Sequence, residues 1–540
     1  MPKNTKYIFV LGSVLSGLGK GIVTSAIAKN FQVRNKKATI VKIDPYLNID
    51  AGTMNPMEHG ETFVTDDGGE LDEDFGHYER FLGEPMSRKQ NITTGQIYYS
   101  VIQKERRGEY LGKTVQVVPH VIDEILLRFK EIEETSKSDI MMVEVGGTIG
   151  DIESQPFLEA IRQLHMNIPE ENSLFVLVTY VPYPRHISEH KTKPTQHSVR
   201  ELRASGLVPD LIICRSEVPI DTKTLQKIAF FCDVEREAVL DLPDLSSVFE
   251  APQLLDSQEI SHLLSKKLQL SLDTPDWSSL ESLLNQHKKI NGKLIIGIPG
   301  KYTDLVDSYI SVNEALKHAA LKFGWNVELR HYATEDFESN PENIAKLNEV
   351  DGILVPGGFG DRGTEGKIAA IQYSRRENIP FLGICLGFQL AVVEYARNVI
   401  GLAGASSTEI SESTPYPVVC LQEEQKDIKN KGGTMRLGSY PITLKEGTKI
   451  AELYGSLEIN ERHRHRYEIN ENYFNQLQDG NLIFTGFYSH LLETLELSNH
   501  SYFMGVQYHP EFKSTPWKPS PPYEGLIKAA IQRSTGRKSA

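Results

Sequence analysis

The sequence predicts an α/β protein of two parallel-sheet domains, the N-terminal one of P-loop type and the C-terminal one doubly wound. Three observations predict it. Short apolar runs of strand length alternate with helical stretches along the chain, the pattern of βαβ units. A glycine-rich loop ending in Lys20 follows the first of those runs. In the second half, Gly383-Ile-Cys385-Leu-Gly387 follows the run Ile379-Pro-Phe-Leu382, and His509-Pro-Glu511 stands far downstream.

Taken in order, Tyr7–Leu11 reads as a buried strand, residues 22–33 as a helix and Ala38–Ile43 as a second strand. A helix near Val121–Glu133 and buried strands at Ile140–Val145, Leu174–Val178 and Leu211–Cys214 extend the same sheet. Residues 271–291 turn polar and read as a linker between a domain of residues 1–270 and one of residues 292–540. Leu294–Ile298, Gly352–Val355 and Pro380–Ile384 are the strands of the second sheet, with a helix over Ser311–Phe323 between them. Glu423–Gly433 reads as a charged hairpin tip, and Pro516–Pro522 as a rigid exposed segment before a disordered end.

At 540 residues the chain is too long for one core, and 39% hydrophobic with 24% charged residues is a soluble globular composition. No apolar run approaches the roughly 18 residues of a membrane span. The first strand begins so close to Met1 that no signal peptide is expected. Four cysteines without Cys-x-x-Cys spacing fit a reducing compartment, so a cytoplasmic location is expected. A net charge of −14 argues against nucleic-acid or anionic-membrane partners. Phosphate recognition would then rest on local lysines and backbone amides.

Such a place is Gly12-Ser-Val-Leu-Ser16-Gly17-Leu18-Gly19-Lys20-Gly21-Ile22. Between strand and helix, bare amides and the helix N-terminus can wrap an anion while Lys20 reaches the terminal phosphates. The match to the usual loop is imperfect. Val14 replaces its first glycine and Gly21 the hydroxyl residue that would hold magnesium, so a turn without a ligand is the alternative. Asp74 and Glu144, at expected strand ends, are carboxylates suited to magnesium beside phosphates. Lys191-Thr192-Lys193-Pro194-Thr195-Gln196 offers cations, hydroxyls and an amide for a triphosphate and a base edge, or is an exposed lysine turn.

Cys214, Cys232 and Cys420 read as small core residues. Cys385 differs by its setting, because a strand ending in Gly-x-Cys-x-Gly turns sharply into a helix and projects the sulfur from the sheet edge. There the helix dipole favours the thiolate, and the Leu386 amide, with those of Val355-Pro-Gly-Gly-Phe-Gly360, faces a developing oxyanion. His509 supplies the base and Glu511 its orienter. The chemistry is thiol-mediated acyl transfer on a small amide. Arg462, Arg464 and Arg466 alternate in an expected strand and share one face, the best local source of a guanidinium for an amino-acid carboxylate.

These residues resemble the CTP synthase family over nearly the whole chain. The likeness includes Ser16–Ile22, Lys42-Ile-Asp-Pro-Tyr46, His59-Gly-Glu61, Gly76–Arg80, Lys104–Gly108, Glu144–Thr148, Gly150–Ser154, Lys191–Ser198, Pro356–Gly360, Gly383–Gly387, Gly432–Gly438, the Arg-His repeat and His509-Pro-Glu511. The resemblance implies a P-loop-type amidoligase domain joined to a class I glutamine amidotransferase domain, assembled as a homotetramer. It implies that ATP phosphorylates UTP and that ammonia from glutamine completes CTP. Mg2+ is the implied cofactor, with Asp74 and Glu144 as its ligands, CTP the feedback inhibitor and GTP the allosteric activator. By position, Gly17, Leu18, Gly19, Lys20, Gly21, Ile22 and Asp74 would meet ATP, with Pro243, Asp244 and Leu245 at its adenine. Ser16, Asp151, Ile152, Glu153, Lys191 to Gln196 and Lys227 would meet UTP or CTP. Gly358, Leu386, Gly387, Phe388, Gln389, Glu409 and Arg466 would bind glutamine. A nucleotide-switched assembly protein of partition type shares the first domain's ancestry, but it carries a second lysine where this chain has Leu15 and lacks a thiol site.

Overall fold

The computed structural model describes residues 5–539 except 14, 16, 302–305, 422–424 and 426–431, so Ser16 and most of the charged 423–433 tip lie outside the described residues. The chain forms two compact units, Met1–Ile49 with His77–Leu284 and Asp50–Gly76 with Asn285–Ala540. Among the described residues no helix is long and apolar enough to cross a membrane.

In the first unit the apolar runs make a seven-stranded, all-parallel sheet. Its spatial order is Asn91–Thr93, Ala38–Asp44, Ile140–Val145, Lys6–Gly12, Ser173–Tyr180, Leu211–Ser216 and Val239–Pro243. Helices cover both faces, which is why these strands are near-continuously apolar rather than alternating. Phe9, Val143 and Leu177 all lie in its core. In register Val10 faces Glu144 and Gly12 faces Val178, so the glycine loop leaves the sheet between two strands whose ends also carry polar residues. Ligands of open parallel sheets bind at such carboxyl edges.

The second unit holds a nine-stranded mixed sheet. Its parallel part runs Trp325–Ala333, Gly292–Gly300, Gly352–Val355, Phe381–Ile384 and Phe503–Val506. An antiparallel part continues through Leu491–Leu497, Leu482–Tyr488, Arg436–Leu444 and Glu458–His465. Val355 faces Gly383 and Ile384 faces Val506, so three adjacent strands deliver Pro356–Gly360, Cys385 and Gln507–Glu511 to one edge. Here too lies a two-stranded hairpin, Phe63–Val64 with Glu70–Leu71, although its sequence falls early in the chain.

The polar stretch 271–291 holds the helix Ser278–His287, with Leu280 and Leu283 buried, and the boundary between the two units falls inside it, after Leu284. One expectation needs correction: Pro516–Pro522 is not an exposed rod before a disordered end. Pro516, Pro519 and Pro522 are buried, the Pro522 carbonyl accepts the Tyr502 hydroxyl at 2.7 Å, and the helix Pro521–Ser539 follows.

Candidate active site

The thiol site is built by steric necessity around its turn. Cys385 has φ 51° and ψ −104°, a conformation costly for a side-chain-bearing residue and retained where the surroundings over-determine it. Its N–H donates to Val506 O at 2.8 Å, and its carbonyl accepts the Gln389 N–H at 3.0 Å, starting the helix Leu386–Asn398. Both flanking glycines are required. A Cβ on Gly383 would sit 2.7 Å from Gly387 O, and one on Gly387 only 2.1 Å from Val355 O. Because those obstacles are backbone, Gly387→Ala is expected to destabilise the protein by roughly 1–3 kcal/mol and to lower glutamine-dependent activity; thermal melting and an assay with each nitrogen donor check this.

His509 and Glu511 are buried, with Nδ1 2.7 Å from Glu511 Oε1. Burial alone would favour the neutral ring, but the Glu511 carboxylate and the Cys385 sulfur outweigh it and raise His509 to about 10. The ring therefore holds its proton through neutrality, the state of a base that has taken the thiol's proton. Gly357 lies against both partners: a Cβ there would fall 2.9 Å from His509 Cε1 and 3.5 Å from Cys385 Cβ. A cavity of about 530 Å³ opens over Cys385, His509, Gly357 and Gly358, with Arg464 and Arg466 on its wall. That volume is ample for an amino-acid amide.

Other glutamine-site expectations fall in differing places. Gly358 lines the cavity, and Leu386 is the first residue of the helix behind it. Phe388 belongs to the core, and Gln389 Nε2 donates to Tyr467 O and Gln507 Oε1 at 2.9 and 3.1 Å. Glu409 Oε1 accepts the Gly360 N–H at 2.8 Å, while Lys301 Nζ donates to Phe359 O and Gly360 O. Burial raises the Glu409 carboxyl against that bond and the nearby lysines. Lys367 escaped the sequence reading because a lysine in a helix normally faces water. It is fully buried, its Nζ has no hydrogen-bond partner among the described residues, and burial together with Lys301 lowers it to about 7.

The three alternating arginines do not act as one carboxylate-binding row. Arg462 Nε donates to Asp66 at 2.7 Å, and Arg464 Nε to Glu70 at 2.8 Å. Arg466 donates to Gln425 Oε1 at 2.7 Å and Thr434 Oγ1 at 2.9 Å, and it keeps a place on the cavity wall. Gly52 to Pro56, Glu61 and Thr62 form another part of that wall. No local signal announced Gly52 to Pro56, whose contacts include Arg464 Nη2 donating to Gly52 O and Ser308 Oγ donating to Pro56 O.

In the first unit, Gly17 and Gly19 take φ 71° and 78°, left-handed conformations that glycine adopts without strain, and the helix starts at Lys20. Lys20 Nζ donates to Gly147 O at 3.0 Å, lying over Gly12, where a Cβ would come within 2.8 Å of it. Glu144 is buried, with Lys42 Nζ at 3.2 Å and the Tyr78 hydroxyl at 2.7 Å. Each carboxylate oxygen keeps a second lone pair beyond these donors, but among the described residues no three His, Cys, Asp or Glu side chains converge to hold a metal, so a hard cation here would need phosphate oxygens as further ligands. Asp74 opens the helix Asp74–Leu82 and belongs to the other unit. Asp151 accepts the Thr148 N–H and hydroxyl at 2.6 and 2.8 Å, while Ile152 and Glu153 are exposed.

The 191–196 segment is not an exposed lysine turn. Lys193 begins a helix to Ala204, Thr195 is buried with its hydroxyl 3.1 Å from that of Thr179, and Gln196 donates to Thr192 Oγ1. Lys191 Nζ reaches Glu189, and Lys227 is exposed on the helix Thr222–Cys232. Pro243 ends its strand, and Arg215 ties that end to the glycine loop. It donates to Leu242 O, Pro243 O, Asp244 Oδ1 and Leu18 O at 2.6 to 3.2 Å. Arg215 was missed because an arginine at a strand end has no motif of its own.

A family model described as CTP synthase N-terminus matches residues 6–270, and one described as glutamine amidotransferase class-I matches residues 304–529. The CTP synthase of Methanopyrus kandleri is 51% identical over 528 residues, covering 97% of this chain and 99% of its own. That of Thermococcus kodakarensis is 50% identical over 535 residues, 98% and 100% of the two chains. Among solved structures, the glutaminase domain of Trypanosoma brucei CTPS with bound acivicin is 35% identical, covers 44% of this chain and 94% of that one, and has a TM-score of 0.42, too low to add to the fold argument.

Proposed function

The chain belongs to the CTP synthase family, a glutamine-hydrolysing ligase that aminates UTP, and from that premise we propose how its residues divide the work. Cys385 attacks the side-chain amide of glutamine, its proton resting on His509, which Glu511 orients at 2.7 Å. The amides of Leu386 and of the Gly357–Gly358 turn receive the tetrahedral oxygen. His509 then protonates the leaving nitrogen, and water releases glutamate from the thioester. Arg466 is the cavity-wall cation offered to the substrate carboxylate.

The glycine loop and Lys20 take the triphosphate of ATP, Lys20 exchanging the Gly147 carbonyl for phosphate oxygens. Pro243 and Asp244, held to the loop by Arg215, form the adenine side together with Leu245. Magnesium would offset phosphate charge, with Glu144 and Asp74 as its expected carboxylates. Phosphorylation makes uracil O4 a competent leaving group, which ammonia then displaces at C4. That ammonia must arrive unprotonated, so it is passed on without mixing into bulk water. Asp151, Ile152, Glu153, the 191–196 segment and Lys227 are assigned to UTP or to CTP as feedback inhibitor. GTP activation, a homotetramer and a cytoplasmic location complete the reading.

The observation that carries it is the strained Cys385 turn, with His509 and Glu511 lining the same cavity. A spectrophotometric assay with UTP, ATP, magnesium and either glutamine or ammonia tests it. CTP is expected from both donors; none from either would overturn the reading.

A further inference from the structure

The hairpin Phe63–Val64 and Glu70–Leu71 lies within the 6–270 stretch matched by the CTP synthase N-terminus, yet it packs in the amidotransferase unit. It is firmly seated there. Asp66 meets Arg462 Nε at 2.7 Å and Lys513 Nζ at 3.2 Å, and its carbonyl accepts the Ser439 N–H at 2.9 Å. Glu70 meets Arg464 at 2.8 Å, and Val64 O accepts from Arg462 Nη1 at 3.0 Å. The approach is so close that a Cβ on Gly438 would stand 2.8 Å from Asp66 O.

Phe63, the first residue of this hairpin, is completely buried beneath the Arg462 guanidinium, 5.4 Å from its ring centre. Its ring meets Phe512 edge-on at 5.1 Å, and Phe512 stacks on the His509 imidazole at 5.3 Å with an interplanar angle of 20°. Arg462, which clasps the hairpin, also accepts the His509 N–H on its carbonyl at 2.7 Å. The catalytic base is thus backed by a ring whose own backing comes from the amidoligase part of the sequence.

We propose that Phe63 is a positioning residue for glutamine hydrolysis, holding Phe512 flat against His509 so that the imidazole stays aimed at Cys385. Removing the Phe63 ring frees Phe512 to tilt, and the imidazole then samples orientations in which it cannot take the thiol proton. Small losses of alignment at a reacting pair carry large rate effects. Amination with external ammonia does not use His509, so it is unaffected. The inference rests on reading Cys385 and His509 as the glutamine-hydrolysing pair.

The experiment compares full-length wild type, Phe63→Ala, Phe63→Leu and Cys385→Ala with glutamine and with ammonia, across pH. Phe63→Ala is expected to lower kcat with glutamine about tenfold, with little change in KM, an altered pH profile of glutamine hydrolysis and wild-type ammonia-dependent CTP formation. Phe63→Leu, which refills the space, is expected to recover part of the loss and serves if the alanine variant does not fold. The proposal is overturned if the folded Phe63 variants keep the wild-type glutamine-to-ammonia ratio, or lose both activities together. Retention of glutamine use by Cys385→Ala would instead overturn the underlying reading of the thiol site.

Discussion

Cys385→Ala loses CTP formation from glutamine by a factor on the order of 10⁴–10⁶, as expected when the nucleophile of a covalent mechanism is removed, and retains formation from ammonia. Among the described residues no second cysteine lines its cavity. Alanine is smaller and keeps the Cys385 N–H that bonds Val506 O, so the turn has no new steric conflict. Ammonia enters the reaction after the step the thiol performs. Steady-state assays with each donor measure the two rates side by side, and a parallel loss of both would show that the sites are not separable.

Lys20→Met is expected to have the complementary effect, lowering CTP formation from both donors by about 10²–10³-fold, the range for removing one preorganised group that stabilises transition-state charge. Both donors need the activated uracil, and Lys20 opens the helix that follows the glycine loop. Methionine keeps the apolar stem over Gly12, and the Gly147 carbonyl it releases stands at an open loop. Glutamine hydrolysis itself is expected to persist. Measuring glutamate and CTP release in the same reactions checks this, and undiminished CTP formation would remove Lys20 from the phosphate site.

The reach of local reasoning differs between particular residues. The Gly-x-Cys-x-Gly turn was legible because both glycines answer to nearby backbone: Gly383 to Gly387 O, and Gly387 to the end of the neighbouring strand at Val355 O. The glycine-rich loop was legible for a different reason, its left-handed Gly17 and Gly19 preceding a helix that begins at Lys20. Thiol chemistry pairs Cys385 with His509 in the sequence, and the strand register gives the pair its arrangement, because Phe503–Val506 lies beside Phe381–Ile384. Pro516–Pro522 misled because its composition is that of an exposed segment, while its burial beside Tyr502 is a tertiary fact.

By itself, then, the order of residues determined the two α/β sheets and marked the thiol turn and the glycine-rich loop, since strand and helix periodicity and glycine spacing are local. Only the tertiary structure decided that Arg462 and Arg464 grip Asp66 and Glu70, that Arg215 ties Leu18 to Pro243, and that Phe63 stands behind the base. Such contacts join residues tens to hundreds of positions apart, whose ion pairs and ring contacts form only after chain folding brings them together, so no local pattern records them.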